Sequence, residues 1–137
     1  MIILFVESFD YYLNQYKEYL KNQGHQVKGV PDGAKAIEVI ADQTEVIEAV
    51  ITSYEVGTTV KGLAVLDAIK QSGRNVPTLL QHPSGKIIVS VGGKELERFL
   101  TVEVQAFPFA HFAPKTNKST HIDEFLANIN YPTQSKR

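Results

Sequence analysis

Apolar positions fall into two alternating patterns along the chain. Met1 to Val6 is an unbroken run of the kind shown by a strand covered on both faces, and it stops at Glu7 and Ser8. From Phe9 to Gln23 the period changes. Tyr12, Leu13, Tyr16, Tyr19 and Leu20 recur at helical spacing, Asp10 sits where a helix dipole favours a carboxylate, and Gly24 follows as a C-terminal stop. A second strand is predicted over His25 to Val30. Turn chemistry follows at Pro31, Asp32 and Gly33, leading into a helix over Ala34 to Ala41 with Ala36, Ile37 and Ile40 on one face. Val46 to Ile51 predicts a third strand. Gly62 to Ser72 predicts a helix with Leu63, Leu66 and Ile69 at helical spacing, Val65 beside them and Gly73 as its end; Val76 to His82 predicts a fourth strand. Such alternation of strand and helix implies parallel strands joined by right-handed crossovers.

Beyond Pro83 the pattern loosens. Ser84 with Gly85 and Gly92 with Gly93 are turn signals around Lys86 to Val91, which reads as an extra strand. Lys94 to Leu100 predicts a short helix, and Thr101 to Phe112 an extended apolar segment containing Pro108. Thr120 to Ile129 predicts a last amphipathic helix with Ile122, Phe125, Leu126 and Ile129 inward, Thr120 as N-cap, and Asp123 and Glu124 in its first turn. One domain over residues 1–130 and a flexible tail over 131–137 are expected from 137 residues.

Composition narrows the partners. Fourteen basic against fifteen acidic side chains leave a formal charge of -1, so there is no electrostatic footprint for nucleic acid or an anionic membrane. With no cysteine, disulfides and thiolate metal sites are excluded. Ile2 to Val6 is too short to span a bilayer and carries no basic leader, so a cytoplasmic location is expected. The partners left are proteins or small molecules.

Chemistry in an open α/β sheet lies at the carboxyl ends of its strands, which places Thr52, Ser53 and Tyr54 where a site is expected. Neither Asp nor Glu stands at Thr52, Ser53 or Tyr54. His25, His82, His111 and His121 form no recognisable metal-ligand spacing.

Ile2 to Ser8, Gly24 with Val27, Asp32 to Ile40 and Gly62 to Ile69, in that order and spacing, resemble the receiver domain of two-component response regulators (the CheY-like family). The likeness covers residues 1 to about 82. It implies a flavodoxin-like, doubly wound three-layer sandwich around a parallel five-stranded sheet of order 2-1-3-4-5, here with an insertion between the fourth and fifth strands. A receiver accepts a phosphoryl group on an Asp after its third strand, with Mg²⁺ held by that Asp and by acids after the first. The matching positions are Glu7, which keeps a carboxylate, and Ser8, which does not. The acceptor position is Ser53 counted from the strand, or Tyr54 counted back from Gly62. His82 matches the switch position, and Lys115 or Lys118 the lysine after the fifth strand. Glu7, Ser8, Ser53, Tyr54, His82 and Lys115 are thus expected as the remnant of a phosphorylation pocket, with no catalytic residue, metal or cofactor.

Three functions are open: a pseudo-receiver working through protein contacts in a phosphorelay-type system without phosphorylation; an atypical receiver modified at Ser53, Tyr54 or His82; or an unrelated small α/β binding protein or enzyme using the strand-end cleft. The first is preferred, and the protein is then not an enzyme. Its contact face is expected on the segment from Lys86 to Phe112, the fifth strand and the helix Thr120 to Ile129, with Ile87 to Val89, Phe107, Phe109 and Phe112 as the apolar side chains and Lys94 and Arg98 at the rim, against a protein partner or a second copy of the chain.

Overall fold

The computed structural model describes residues 1–54, 62–81, 87–91 and 94–95, together with the helical residues 122, 123 and 125–127. Four parallel strands form the centre of the sheet: β1 (Ile2–Val6), β2 (Gln26–Val30), β3 (Ala49–Ser53) and β4 (Pro77–Gln81), ordered β2-β1-β3-β4. Helices α1 (Asp10–Lys21), α2 (Gly33–Ala41) and α3 (Gly62–Ser72) connect them. This is the doubly wound, flavodoxin-like arrangement expected from the alternation.

Residue alternation along the strands feeds two cores. Ile3 and Phe5 of β1, Ala49 and Ile51 of β3 and Leu79 of β4 pack with Leu13, Tyr16 and Leu20 of α1 and with Ile122, Phe125 and Leu126. Leu4, Val6 and Val50 point the other way, against Ala36 and Ile40 of α2 and Val65 and Ile69 of α3. The inward positions expected of the last helix are confirmed at Ile122, Phe125 and Leu126, and the Tyr19 hydroxyl ties that element to α1 by donating to both Asp123 carboxylate oxygens at 2.7 and 2.8 Å.

Helix ends follow their residues. Asp32 accepts the Lys35 N–H at 2.7 Å as N-cap of α2. The end of α1 is closed by Gly24 N–H to Lys21 C=O and His25 N–H to Leu20 C=O, with Gly24 at φ +92°, a conformation that costs glycine little. Arg74 donates from Nε to the Ile40 carbonyl and from Nη2 to that of Asp42, satisfying acceptors at the end of α2.

Some expectations are corrected. The third strand starts at Ala49 rather than Val46, because Asp42 accepts the Thr44 N–H and hydroxyl and holds the chain in a turn, leaving Val46 exposed. Leu63 is also exposed, and the buried face of α3 is Gly62, Val65, Leu66 and Ile69. The extra strand is present as β5 (Ile87–Val91), but it runs antiparallel to β4 and takes the place beside it, where a parallel fifth strand was expected. Five residues separate β4 from β5, enough for a hairpin and too few for a parallel crossover. Lys94 does not begin a helix: Lys94–Glu95 form β6, antiparallel to β5 after two glycines. Thr101 to Phe112 lies outside the described residues.

Candidate functional site

Glu7 is the residue after β1, on the face that carries Ile3 and Phe5, and this alternation places a carboxylate under the α1 side of the sheet at only 4% exposure. Burial of that kind requires hydrogen bonds. Glu7 Oε1 accepts from the Ser53 hydroxyl at 2.7 Å and Oε2 from the Phe9 N–H at 3.2 Å, just ahead of α1. Its own N–H donates to the Val30 carbonyl at 3.2 Å, which ties the end of β1 to β2. Ser53, at 7% exposure, is the last residue of β3.

Register explains the meeting. Val6 lies opposite Thr52, so one further step sets Glu7 opposite Ser53, and Ser53 in turn lies opposite Gln81 of β4. The result is a polar row, Glu7–Ser53–Gln81, across three adjacent strand ends, two residues beyond the apolar row Phe5–Ile51–Leu79. It straddles β1 and β3, where the sheet order reverses direction and open α/β sheets take their ligands. Gln81 is 2% exposed, and among the described residues neither its Oε1 nor its Nε2 has a hydrogen-bond partner. Each such buried atom left unsatisfied costs about 1–3 kcal/mol.

Of the residues expected to form the remnant pocket, Glu7 and Ser53 are brought together. Of the two residues aligned with the acceptor position, Ser53 is the one that faces the carboxylate. Tyr54 stands one residue outward and partly exposed; its N–H donates to the Gln81 carbonyl at 2.9 Å and its own carbonyl accepts from Gly62 at 2.7 Å. Ser8 is exposed, and Asp10 is in the first turn of α1. His82, Lys115, Arg98, Phe107, Phe109 and Phe112 lie outside the described residues, and Lys94 is placed in β6. Gln81 was read only as the neighbour of His82. The signal that could have found it is an apolar run ending in an amide, two residues beyond inward-facing Leu79.

No group of three or more Asp, Glu or His side chains that could hold a metal occurs among the described residues. Nor is any of their helices long and apolar enough to cross a membrane. A groove of about 560 Å³ runs along α1, lined by Tyr11, Asn14, Gln15, Glu18, Tyr19 and Asn22. None of the row's residues lines it.

No family model and no curated protein matches the sequence. Solved structures do resemble the fold. The N-terminal domain of a response regulator/sensory box/GGDEF 3-domain protein from Carboxydothermus hydrogenoformans is 20% identical, with a TM-score of 0.56 over 61% of this chain and 65% of that one. A response regulator receiver protein from Sinorhizobium medicae WSM419 is 24% identical, with a TM-score of 0.55 over 60% and 65%. A CheY-like receiver domain from Methylobacillus flagellatus is 20% identical, with a TM-score of 0.54 over 61% and 70%. The chain thus spans less than two thirds of the first two of these. At such identities the likeness shows the fold alone, the flavodoxin-like fold that these receiver domains share.

Proposed function

We propose that this chain is a phosphorylation-independent receiver-like module that acts through protein–protein contact in two-component-type signal transduction in the cytoplasm. The observation that carries the reading is the 2.7 Å hydrogen bond from Ser53 to Glu7. In the receivers that the sequence resembles, this is the place for carboxylates that share a Mg²⁺ ion and accept phosphate. Here a neutral hydroxyl and one carboxylate engage each other. Mg²⁺ is held by hard oxygen ligands and usually by one or two carboxylates beside phosphate and water, and Ser53 brings no charge to such a site. Without an acyl phosphate, phosphorylation does not tip a two-state equilibrium at the row, so partner binding does not wait on a phosphodonor. The contact face lies on the β5–β6 side of the sheet and the last helix.

The same hydrogen bond favours one alternative, since a carboxylate on the Ser53 hydroxyl is a base positioned to take its proton. A single experiment separates the two. The protein is incubated with acetyl phosphate or phosphoramidate and Mg²⁺, and its intact mass is read before and after hydroxylamine. No added phosphate is expected. A hydroxylamine-labile adduct on Glu7 contradicts the proposal, and a stable one on Ser53, or one on Tyr54 or His82, establishes the modified receiver instead.

A further inference from the structure

We infer that Gln81 is the receptor for a small molecule with a planar edge that sets an N–H donor beside an acceptor, as primary carboxamides and the amidine side of aminopurines do. The amide is almost fully buried at the end of a central strand, and among the described residues neither of its polar atoms has a partner, so the unmet demand is the same whichever way the amide is turned. A bound cation satisfies only the carbonyl and a bound oxyanion only the NH₂. A donor–acceptor edge satisfies both at once, the pairing by which glutamine amides read adenine.

The setting supports a ligand. Gln81 is fixed in register against Ser53, whose hydroxyl is turned to Glu7, and its backbone carbonyl is held by the Tyr54 N–H. Strands make a precise platform, since the site is held by the sheet. The row occupies the switch point between β1 and β3, and Ser8 and Phe9, which follow Glu7 in the chain, are exposed. Such a ligand supplies the proposed signalling module with an input, and to that extent the inference rests on that reading. The two fail separately, because phosphodonor chemistry reads modification and the experiment below reads binding.

The full chain, labelled with ¹⁵N at glutamine side chains, is titrated with two pairs of probes: nicotinamide against nicotinic acid, and adenosine against purine riboside. The second member of each pair lacks the N–H donor. One glutamine NH₂ signal, identified as Gln81 by its absence in Gln81→Met, shifts saturably with nicotinamide if the natural ligand is a carboxamide, or with adenosine if it is an aminopurine. The matched control binds at least about tenfold more weakly, because it leaves the buried amide unpaired. Gln81→Met abolishes the ligand-induced rise in melting temperature and melts at or above the unliganded wild type, since it removes two unpaired polar atoms. The inference is overturned if no wild-type glutamine NH₂ signal moves with either probe at millimolar concentration, or if each control binds as well as its partner. That reading needs only wild-type protein and stands if the variant does not fold. It is also overturned if Gln81→Met folds, melts lower and keeps its response to ligand.

Discussion

Along β1, β3 and β4, the middle residues and the last ones are almost equally buried and oppositely satisfied. Phe5, Ile51 and Leu79 meet apolar side chains from α1 and the last helix. Two residues further on, Glu7, Ser53 and Gln81 carry a carboxylate, a hydroxyl and an amide into the same layer. Apolar burial is favourable whatever the neighbour, whereas polar burial is tolerated only where a hydrogen bond is made. The middle row is therefore a general device for making this sheet. Within the end row Glu7 and Ser53 meet that condition, whereas Gln81 does not among the described residues, and it is Gln81 that costs stability and has to be explained by what it does.

The largest break in the comparison is made in the middle row. Phe5→Ala should lower stability by about 3–5 kcal/mol by opening a cavity under Tyr16, read as a fall in denaturant midpoint. At the end row, Gly62→Ala comes next. A Cβ there meets the Leu80 side chain, the Ser53 carbonyl at 2.6 Å and Tyr54 Cα at 3.0 Å, so about 1–3 kcal/mol should be lost as the backbone shifts. Ser53→Ala leaves Glu7 Oε1 without this donor and should cost about 1–2 kcal/mol. Glu7→Leu combined with Ser53→Ala should cost less than the sum of the single changes, which distinguishes a polar pair from two independent contacts. Additivity in that cycle contradicts the account.

The smallest effect is a pH dependence away from the row. Burial first, and the Met1 amino group second, hold His25 below its ordinary value of 6.5. The unfolded chain therefore binds the proton more readily, so the contribution is fully present above pH 6.5 and is lost as pH falls through the depressed value. A His25→Asn variant should show a flatter decline of stability on acidification than wild type.

How much of this was legible depended on how far each residue's role is local. Val6 stopping at Glu7, Gly24 and Gly73 ending their helices, and Asp32 starting another are decided within a few residues, and the sequence shows them. The start of β3 was misplaced because Val46 and Ile47 read as strand, while the turn that displaces them is made by Asp42 and Thr44. The direction of β5 depended on a short connection rather than on its own apolar pattern, which reads the same parallel or antiparallel. At the site, that neither Asp nor Glu stands at Thr52, Ser53 or Tyr54 was plain from the residues alone. That Ser53 rather than Tyr54 meets Glu7, and that Gln81 completes the row, is set by register across three strands, which no single stretch of sequence contains.

The central claim is that the Ser53–Glu7 hydrogen bond stands where a phosphorylatable, metal-binding pocket would otherwise be. Titrating ¹⁵N-labelled protein with Mg²⁺ and beryllofluoride, which mimics an acyl phosphate, tests this most directly. The backbone amides of Glu7, Ser53, Tyr54 and Gln81 should not move. Saturable shifts at those amides that require both reagents and vanish in Glu7→Gln would contradict the account.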